Sequence, residues 1–248
     1  MNSLRVRLPQ VLDWLGSEAP DLLALQETKS PDDQFPREEL AAAGYRSLFS
    51  GQKTYNGVAI LSRQQATQVI ADIPGLDDPQ RRILGATIEG VRVLNLYVVN
   101  GQQVGSEKYD YKLHWLGRVA DYIAGQLRQH ERFVTLGDFN IAPEDRDVHD
   151  PEAWRERILC STPERAALQK ILDLGLSDVF RQFEQEAASF SWWDYRAAAF
   201  RRNMGLRIDL ILASRVLAQA CSACSIDREP RRLERPSDHA PVIAEFRL

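Results

Sequence analysis

The sequence predicts an α/β fold in which sheets pack together and helices cover them. Three observations carry this. Short apolar runs of strand length alternate with segments of helical periodicity, several runs stop abruptly at a polar residue, and the strand-like runs cluster between the helical segments. With 44% hydrophobic and 27% charged residues, the 248-residue chain can bury a sizeable core and does not have the composition of a disordered one.

In chain order, Leu8, Val11, Leu12 and Leu15 form the apolar stripe of a first helix. Strands are expected over 22–27, 57–62, 92–97 and 133–138, where β-branched and aliphatic residues run together or alternate. Between the last two, residues 112–127 carry a second stripe of Leu113, Leu116, Val119, Ile123 and Leu127. Pro163-Glu164-Arg165 opens a helix towards Leu174, with Gly175 as its C-cap. Strands return at 206–212 and 240–246. There is no Gly/Ser linker, fixed-period repeat or low-complexity tract, so residues 1–248 are expected to form a single domain.

No window approaches eighteen uninterrupted apolar residues, so no membrane-spanning helix is expected. The first residues lack the apolar core of a secretory signal, and three cysteines without a dense framework fit a reducing compartment; cytoplasmic location is the expectation. The net charge of −4 is uneven: residues 1–195 carry 21 Lys/Arg against 29 Asp/Glu, residues 196–248 carry 10 Arg against 6 acids. An acidic body with a basic end suits a phosphate-binding face beside a carboxylate cluster.

Chemistry concentrates where apolar strands stop. Gln26-Glu27-Thr28-Lys29, Gly137-Asp138-Phe139-Asn140, Arg207-Ile208-Asp209 and Ser237-Asp238-His239 each place acids or a histidine just past or just inside such a run. Residues there emerge on a sheet rim, where site loops usually lie. Any one alone reads as a turn or cap. Together they supply what metal-assisted phosphodiester hydrolysis needs: hard oxygen ligands such as Glu27 for Mg²⁺, a carboxylate or imidazole to orient or deprotonate water, an amide such as Asn140 to fix that carboxylate, and positive charge to meet the phosphate.

Six strings occur in order: LQETK (25–29), QRRI (80–83), GDFNIAP (137–143), FSWWDYR (190–196), GLRID (205–209) and PSDHAPV (236–242). In these the chain resembles the exonuclease III family of apurinic/apyrimidinic (AP) endonucleases, within the endonuclease/exonuclease/phosphatase superfamily, over nearly its whole length. The QET and SDH elements are shared with sphingomyelinases and inositol phosphatases, whereas FSWWDYR and GLRID are particular to the DNA-repair branch.

The resemblance implies a DNase I-like four-layer αββα sandwich with the site at one end of its sheets. It implies Mg²⁺ (or Mn²⁺) at Glu27, with Asp238 and Asn2 contributing to the same site. It also implies that Asp138 aligns or deprotonates water with Asn140 as its amide partner, that Asp209 and His239 form a pair against the phosphate, and that Tyr97 contacts that phosphate. Asp138, His239 and a metal-bound hydroxide all stay open as the base. Tyr55, Asn56, Asn100, Arg81 and Arg82 are candidate substrate contacts. Trp192, Trp193, Leu206 and Ile208 are candidate walls of a compact apolar pocket for a flipped sugar that lacks its base.

Members of that family usually begin with a strand ending in Phe/Trp-Asn-hydrophobic-Asn, of which Met1-Asn2-Ser3-Leu4-Arg5 matches only the end. The expectation is a GTG valine codon read as a start, with the strand encoded upstream. The implied partner is duplex DNA with abasic sites or blocked 3′ ends, acted on by a monomer without a membrane. Two rival readings are a catalytically impaired DNA-binding member and a lipid or inositol phosphodiesterase. Cys221-Ser222-Ala223-Cys224 lacks the further ligands of a zinc site and reads as small packing residues. His114, His130 and His149 lie outside the matching strings.

Overall fold

The computed structural model describes residues 1–76 and 78–248. Helix α1 (Leu4–Glu18) leads into β1 (Leu22–Gln26), α2 (Arg37–Ala42), β2 (Arg46–Ser50), β3 (Val58–Ser62), β4 (Ala66–Ile70), β5 (Ile83–Ile88) and β6 (Val91–Tyr97). There follow α3 (Glu107–Leu127), β7 (Phe133–Asp138), α4 (Pro151–Trp154), α5 (Thr162–Leu172) and β8 (Leu176–Asp178). The chain closes with β9 (Trp192–Trp193), β10 (Gly205–Leu206), β11 (Asp209–Ser214), α6 (Arg215–Ala220), β12 (Cys221–Ile226) and β13 (Val242–Phe246).

A six-stranded sheet has the order β4-β5-β6-β7-β11-β8, with β6 and β7 parallel and the remaining pairs antiparallel. Facing it lie a three-stranded sheet β1-β3-β2 and the separate hairpin-like pair β12-β13. Strand alternation makes the layers. On β7, Phe133 faces out and Val134 in; on β11, Leu210 and Leu212 face out while Ile211 and Ala213 face in.

The inward set joins Val58 and Ile60 in an inter-sheet core, while the outward set packs under α3 and α5 through Trp115, Leu116, Val119, Ile123, Leu168 and Ile171. Ala59 and Leu61 face the other way, against Leu4, Val11 and Leu15 of α1 and Leu40 of α2. The result is the four-layer αββα arrangement. Central strands buried on both faces read as continuous apolar runs, which is why they were visible in sequence.

Three details differ from the sequence expectation. The strand over 206–212 is broken: the Ile208 and Asp209 N–H groups both donate to Ser191 Oγ at 3.1 Å, so β10 and β11 are separate. Helix α3 starts earlier than 112, where Ser106 accepts the Tyr109 N–H as an N-cap. Helix α5 is opened by a Ser161/Glu164 capping box, with Pro163 in its first turn. Strands β2, β4, β5, β8, β9 and β12 have no counterpart among the sequence expectations.

Between the free edges of β1 and β13 runs a trough of about 720 Å³. Its lining includes Leu23, Leu25, Val134, Leu136, Ile211 and Val242. At one end, Ser3 N–H donates to Glu27 O and Leu4 N–H to Thr28 O, at 2.8 and 2.9 Å. These two bonds tie the start of α1 to the loop just after β1.

Candidate active site

Four strand tips meet at one end of the sandwich. Parallel β6 and β7 finish together, so Tyr97 and Asp138 are register partners, and antiparallel β11 begins beside them with Asp209 opposite Asp138. Asp138 thus sits between Tyr97 and Asp209. Glycine is required just before it: Gly137 has φ +134°, and an added Cβ would lie 2.1 Å from Leu96 O.

Asp138 is held from its own loop. Asn140, in the left-handed region at φ +49°, donates its backbone N–H to Asp138 Oδ1 at 2.8 Å. Its Nδ2 donates to Asp138 Oδ2 at 3.1 Å and to Val98 O at 2.9 Å. Asn100 Nδ2 in turn donates to Asn140 Oδ1 at 3.1 Å.

His239 completes the group. Its Nδ1 lies 2.9 Å from Asp209 Oδ2, and its Nε2 lies 3.9 Å from Asp138 Oδ2. The loop carrying it is laddered onto the FSWWDYR segment: Trp192 bridges His239, Trp193 N–H donates to Asp238 O, and Ala240 N–H donates to Ser191 O. Ser191, whose Oγ takes the Ile208 and Asp209 N–H groups, therefore positions both members of the Asp–His pair.

Burial and crowding of carboxylates set the protonation states. Burial pushes the Asp138 carboxyl up to about 7, with His239 opposing and Asp209 and Glu27 adding to the rise. Burial pulls the His239 imidazole down, but Asp209, Asp138 and Asp238 outweigh it and raise it to about 9. The imidazole is therefore cationic at neutral pH, with Nδ1–H directed at Asp209. Burial and then Glu27 and Asp138 raise the Tyr97 phenol well above its ordinary value, so it stays protonated and donates to Glu27 Oε1 at 2.7 Å. Asp238 is drawn down to about 2: burial acts upward, and His239, the chain's N-terminus and the Trp192 indole N–H outweigh it.

On the Glu27 side, Lys29 Nζ lies 3.7 Å from Glu27 Oε1 and donates to Asn2 Oδ1 at 2.8 Å. Asn2 Nδ2 reaches Asp238 Oδ1 at 3.5 Å. Glu27 and Asp238 are thus linked through Lys29 and Asn2. Among the described residues, no three His, Cys, Asp or Glu side chains are grouped so as to hold a metal by themselves. Two carboxylates and an amide oxygen remain, all hard donors. That set fits a cation that keeps most of its waters, and the Lys29 ammonium shows that this face draws positive charge.

The other candidates separate by exposure. Tyr55, Arg81 and Asn100 are exposed. Arg82 is buried, not free for phosphate: its guanidinium lies 4.6 Å from the Tyr97 ring centroid and its Nη1 donates to Tyr97 O, so it supports that tyrosine. Asn56 is also buried, its carbonyl accepting the Lys29 N–H at 2.9 Å. Trp192 is half-buried, and its indole N–H donates to Asp238 Oδ2. Trp193 is fully buried edge-on against Phe200 and presents no surface to a ligand. Leu206 and Ile208 are buried in an apolar cluster with Val148, Leu159 and Trp192, behind any pocket surface.

Sequence reasoning missed Lys29, Ser191 and Arg207. Arg207 is fully buried between Asp147 (Nε to Oδ1, 2.6 Å) and Asp178 (Nη1 to Oδ2, 2.7 Å), which anchors the backbone leading into Asp209. Ser191 and Arg207 lie inside the quoted strings FSWWDYR and GLRID, the only signal available for them.

Known proteins resemble this chain in sequence and fold. The model of the endonuclease/exonuclease/phosphatase family matches residues 2–239. The chain is 36% identical to exodeoxyribonuclease III of Haemophilus influenzae, covering 100% of this chain and 97% of that protein. It is 33% identical to an exodeoxyribonuclease of Bacillus subtilis, at 98% and 95% coverage. Among solved structures, the Neisseria 3′ phosphatase NExo bound to product DNA hairpin superposes with a TM-score of 0.98 at 50% identity, covering 100% of this chain and 96% of that one. An AP endonuclease from Archaeoglobus fulgidus gives 0.95 at 39% identity, with the same coverage. Agreement of the whole fold, at these identities and from nearly end to end, makes this chain a member of the endonuclease/exonuclease/phosphatase family.

Proposed function

We propose that the protein is a Mg²⁺- or Mn²⁺-dependent DNA phosphodiesterase of base excision repair. It incises duplex DNA at abasic sites and processes 3′ ends as a 3′→5′ exonuclease and 3′-phosphatase or phosphodiesterase. The observation that carries this reading is the meeting of Asp138, Asp209 and His239 within one hydrogen-bonded group beside the Tyr97–Glu27 pair. The relatives named as exodeoxyribonucleases, a 3′ phosphatase and an AP endonuclease support DNA as the substrate.

The residues divide the work. Glu27, with Asn2 and Asp238, would hold the cation, which supplies Lewis-acid polarisation of a phosphoryl oxygen. His239, kept cationic by Asp209, meets the charge that grows on the phosphate. Asp138, fixed by two hydrogen bonds from Asn140, aligns the attacking water and takes its proton; a carboxyl raised to about 7 is a far better acceptor than an ordinary one. Tyr97 holds Glu27 in place through its phenol, backed by Arg82. Tyr55, Arg81 and Asn100 are exposed and so free to contact the DNA backbone. Half-buried Trp192, braced by Leu206 and Ile208, forms the apolar wall against a sugar that lacks its base.

The test is incision of a duplex carrying one abasic-site analogue, run alongside release of a 3′-phosphate. Both activities are expected with Mg²⁺ and lost in EDTA. Glu27→Ala and Asp138→Asn are expected to lower the rate by on the order of 10²–10⁴-fold. Binding of that duplex without cutting would favour the impaired DNA-binding member. Cleavage of a phosphoinositide or sphingomyelin instead would favour the lipid-directed branch.

A further inference from the structure

Behind the site, a lysine is fully buried where the described surface has no access to it. Lys112 projects from α3, and its Nζ donates to Asn140 O at 2.7 Å, to Asn100 O at 3.2 Å and to Glu164 Oε1. An ammonium has three protons, and all three are used. Glu164 is equally committed: Oε1 also accepts the Leu159 N–H, and Oε2 accepts the N–H and Oγ–H of Ser161. Nothing is left over for a phosphate.

We infer that Lys112 is a positioning residue for the reaction, setting the alignment of Asp138 through the backbone of Asn140 and Asn100. These two carbonyls belong to the residues whose side chains form the relay Asn100–Asn140–Asp138. One ammonium holds both, so the loop after β6 and the loop after β7 are fixed at a common point. Asn140 adopts the left-handed conformation that asparagine tolerates, which turns its backbone N–H and its Nδ2 onto the same carboxylate. The turn at Gly101 lies close over the lysine stem, since an added Cβ there would lie 3.1 Å from Lys112 Cδ. A buried ion pair that served stability alone would be replaceable by apolar residues of similar volume at little cost. Here the acceptors include two main-chain carbonyls that such residues would leave unpaired.

This inference rests on the nuclease reading above, and the experiment separates the two. Lys112→Met strands Glu164 and is expected to lower both the melting temperature and kcat. The double variant Lys112→Met/Glu164→Met removes both buried charges and should regain part of the melting temperature, the rest being held back by the carbonyls and N–H groups it leaves unpaired. Its kcat on abasic duplex should stay down by on the order of 10²-fold, with KM for DNA unchanged. Hydrogen exchange at the Asn140 amide, which donates to Asp138, should speed up in the same variant, and that readout needs no substrate. Glu164→Gln leaves the lysine on both carbonyls and should keep kcat within a few-fold.

Recovery of kcat together with melting temperature in the double variant would reduce the pair to a core plug and overturn the inference. A raised KM at normal kcat, or a Glu164→Gln loss as large as that of Lys112→Met, would also overturn it. If the unsubstituted protein cuts neither abasic nor 3′-blocked DNA, the nuclease reading fails, while the amide-exchange comparison still decides the role of Lys112.

Discussion

His239 and Asp138 together define a pH window. Activity needs Asp138 ionised and His239 protonated, so the kcat profile should be bell-shaped with limbs near about 7 and about 9. Asp209 is the main upward influence on His239. Asp209→Asn should therefore bring the alkaline limb down, narrowing the bell, and a pH–rate series on the variant reads this directly. Stability moves as well. Both groups bind protons more tightly in the folded chain than their ordinary values of 3.8 and 6.5 would allow. The folded state therefore loses stability as pH rises through about 4–7 for Asp138, and again through about 6.5–9 for His239. This is opposite in sign to the usual salt-bridged carboxylate, and thermal melts of Asp138→Asn should lack the lower window. What was legible at this scale was the inventory. An acid or imidazole at the end of an apolar run has few other reasons to be there. What was not legible was direction: Trp192 and Trp193 are neighbours on a strand, so they point to opposite faces, and only one can meet a ligand.

Single elements show why some parts of the fold escaped reading. Strand β3, with five buried apolar or small residues, announces itself; β2 (RSLFS) and β4 (ATQVI) are half-exposed sheet edges whose mixed composition resembles a loop. The run over 206–212 looked continuous because periodicity cannot register a serine 17 and 18 residues before the two N–H groups that it captures. Arg207 inside that run marks the interruption. Its replacement by Met would leave Asp147 and Asp178 without it, and loss of one partner of a buried ion pair costs on the order of 3–5 kcal/mol. Urea unfolding of Arg207→Met should show a loss of unfolding free energy of that size, read as a lower midpoint at unchanged slope. Gly137→Ala should also destabilise, because its Cβ would collide with the Leu96 carbonyl across the parallel β6–β7 pair.

For the whole molecule, the order of layers followed from the alternation of strand and helix signals, and the location of the site followed from which strand ends carried polar residues. The buried contacts that join the layers did not. Gln26 Nε2 donates to Asn95 Oδ1, and Asn95 Nδ2 donates to Leu25 O and Ala59 O, stitching one sheet to the other across the apolar core. Neither residue stands out in a sequence, since its partner is known only once the sheets are stacked. The opening between β1 and β13 has a different consequence. Two rows of main-chain donors and acceptors face each other over a greasy floor, a template for any ribbon of suitable length. Residues 3 and 4 fasten the start of α1 beside the end of β1. Fusing six alternating valine and threonine residues ahead of Met1 should zip the two half-sheets into one and raise the melting temperature by on the order of 5 °C, whereas a Gly/Ser tail of equal length should leave it unchanged. Equal melting curves for the two fusions would mean that this seam does not accept a strand.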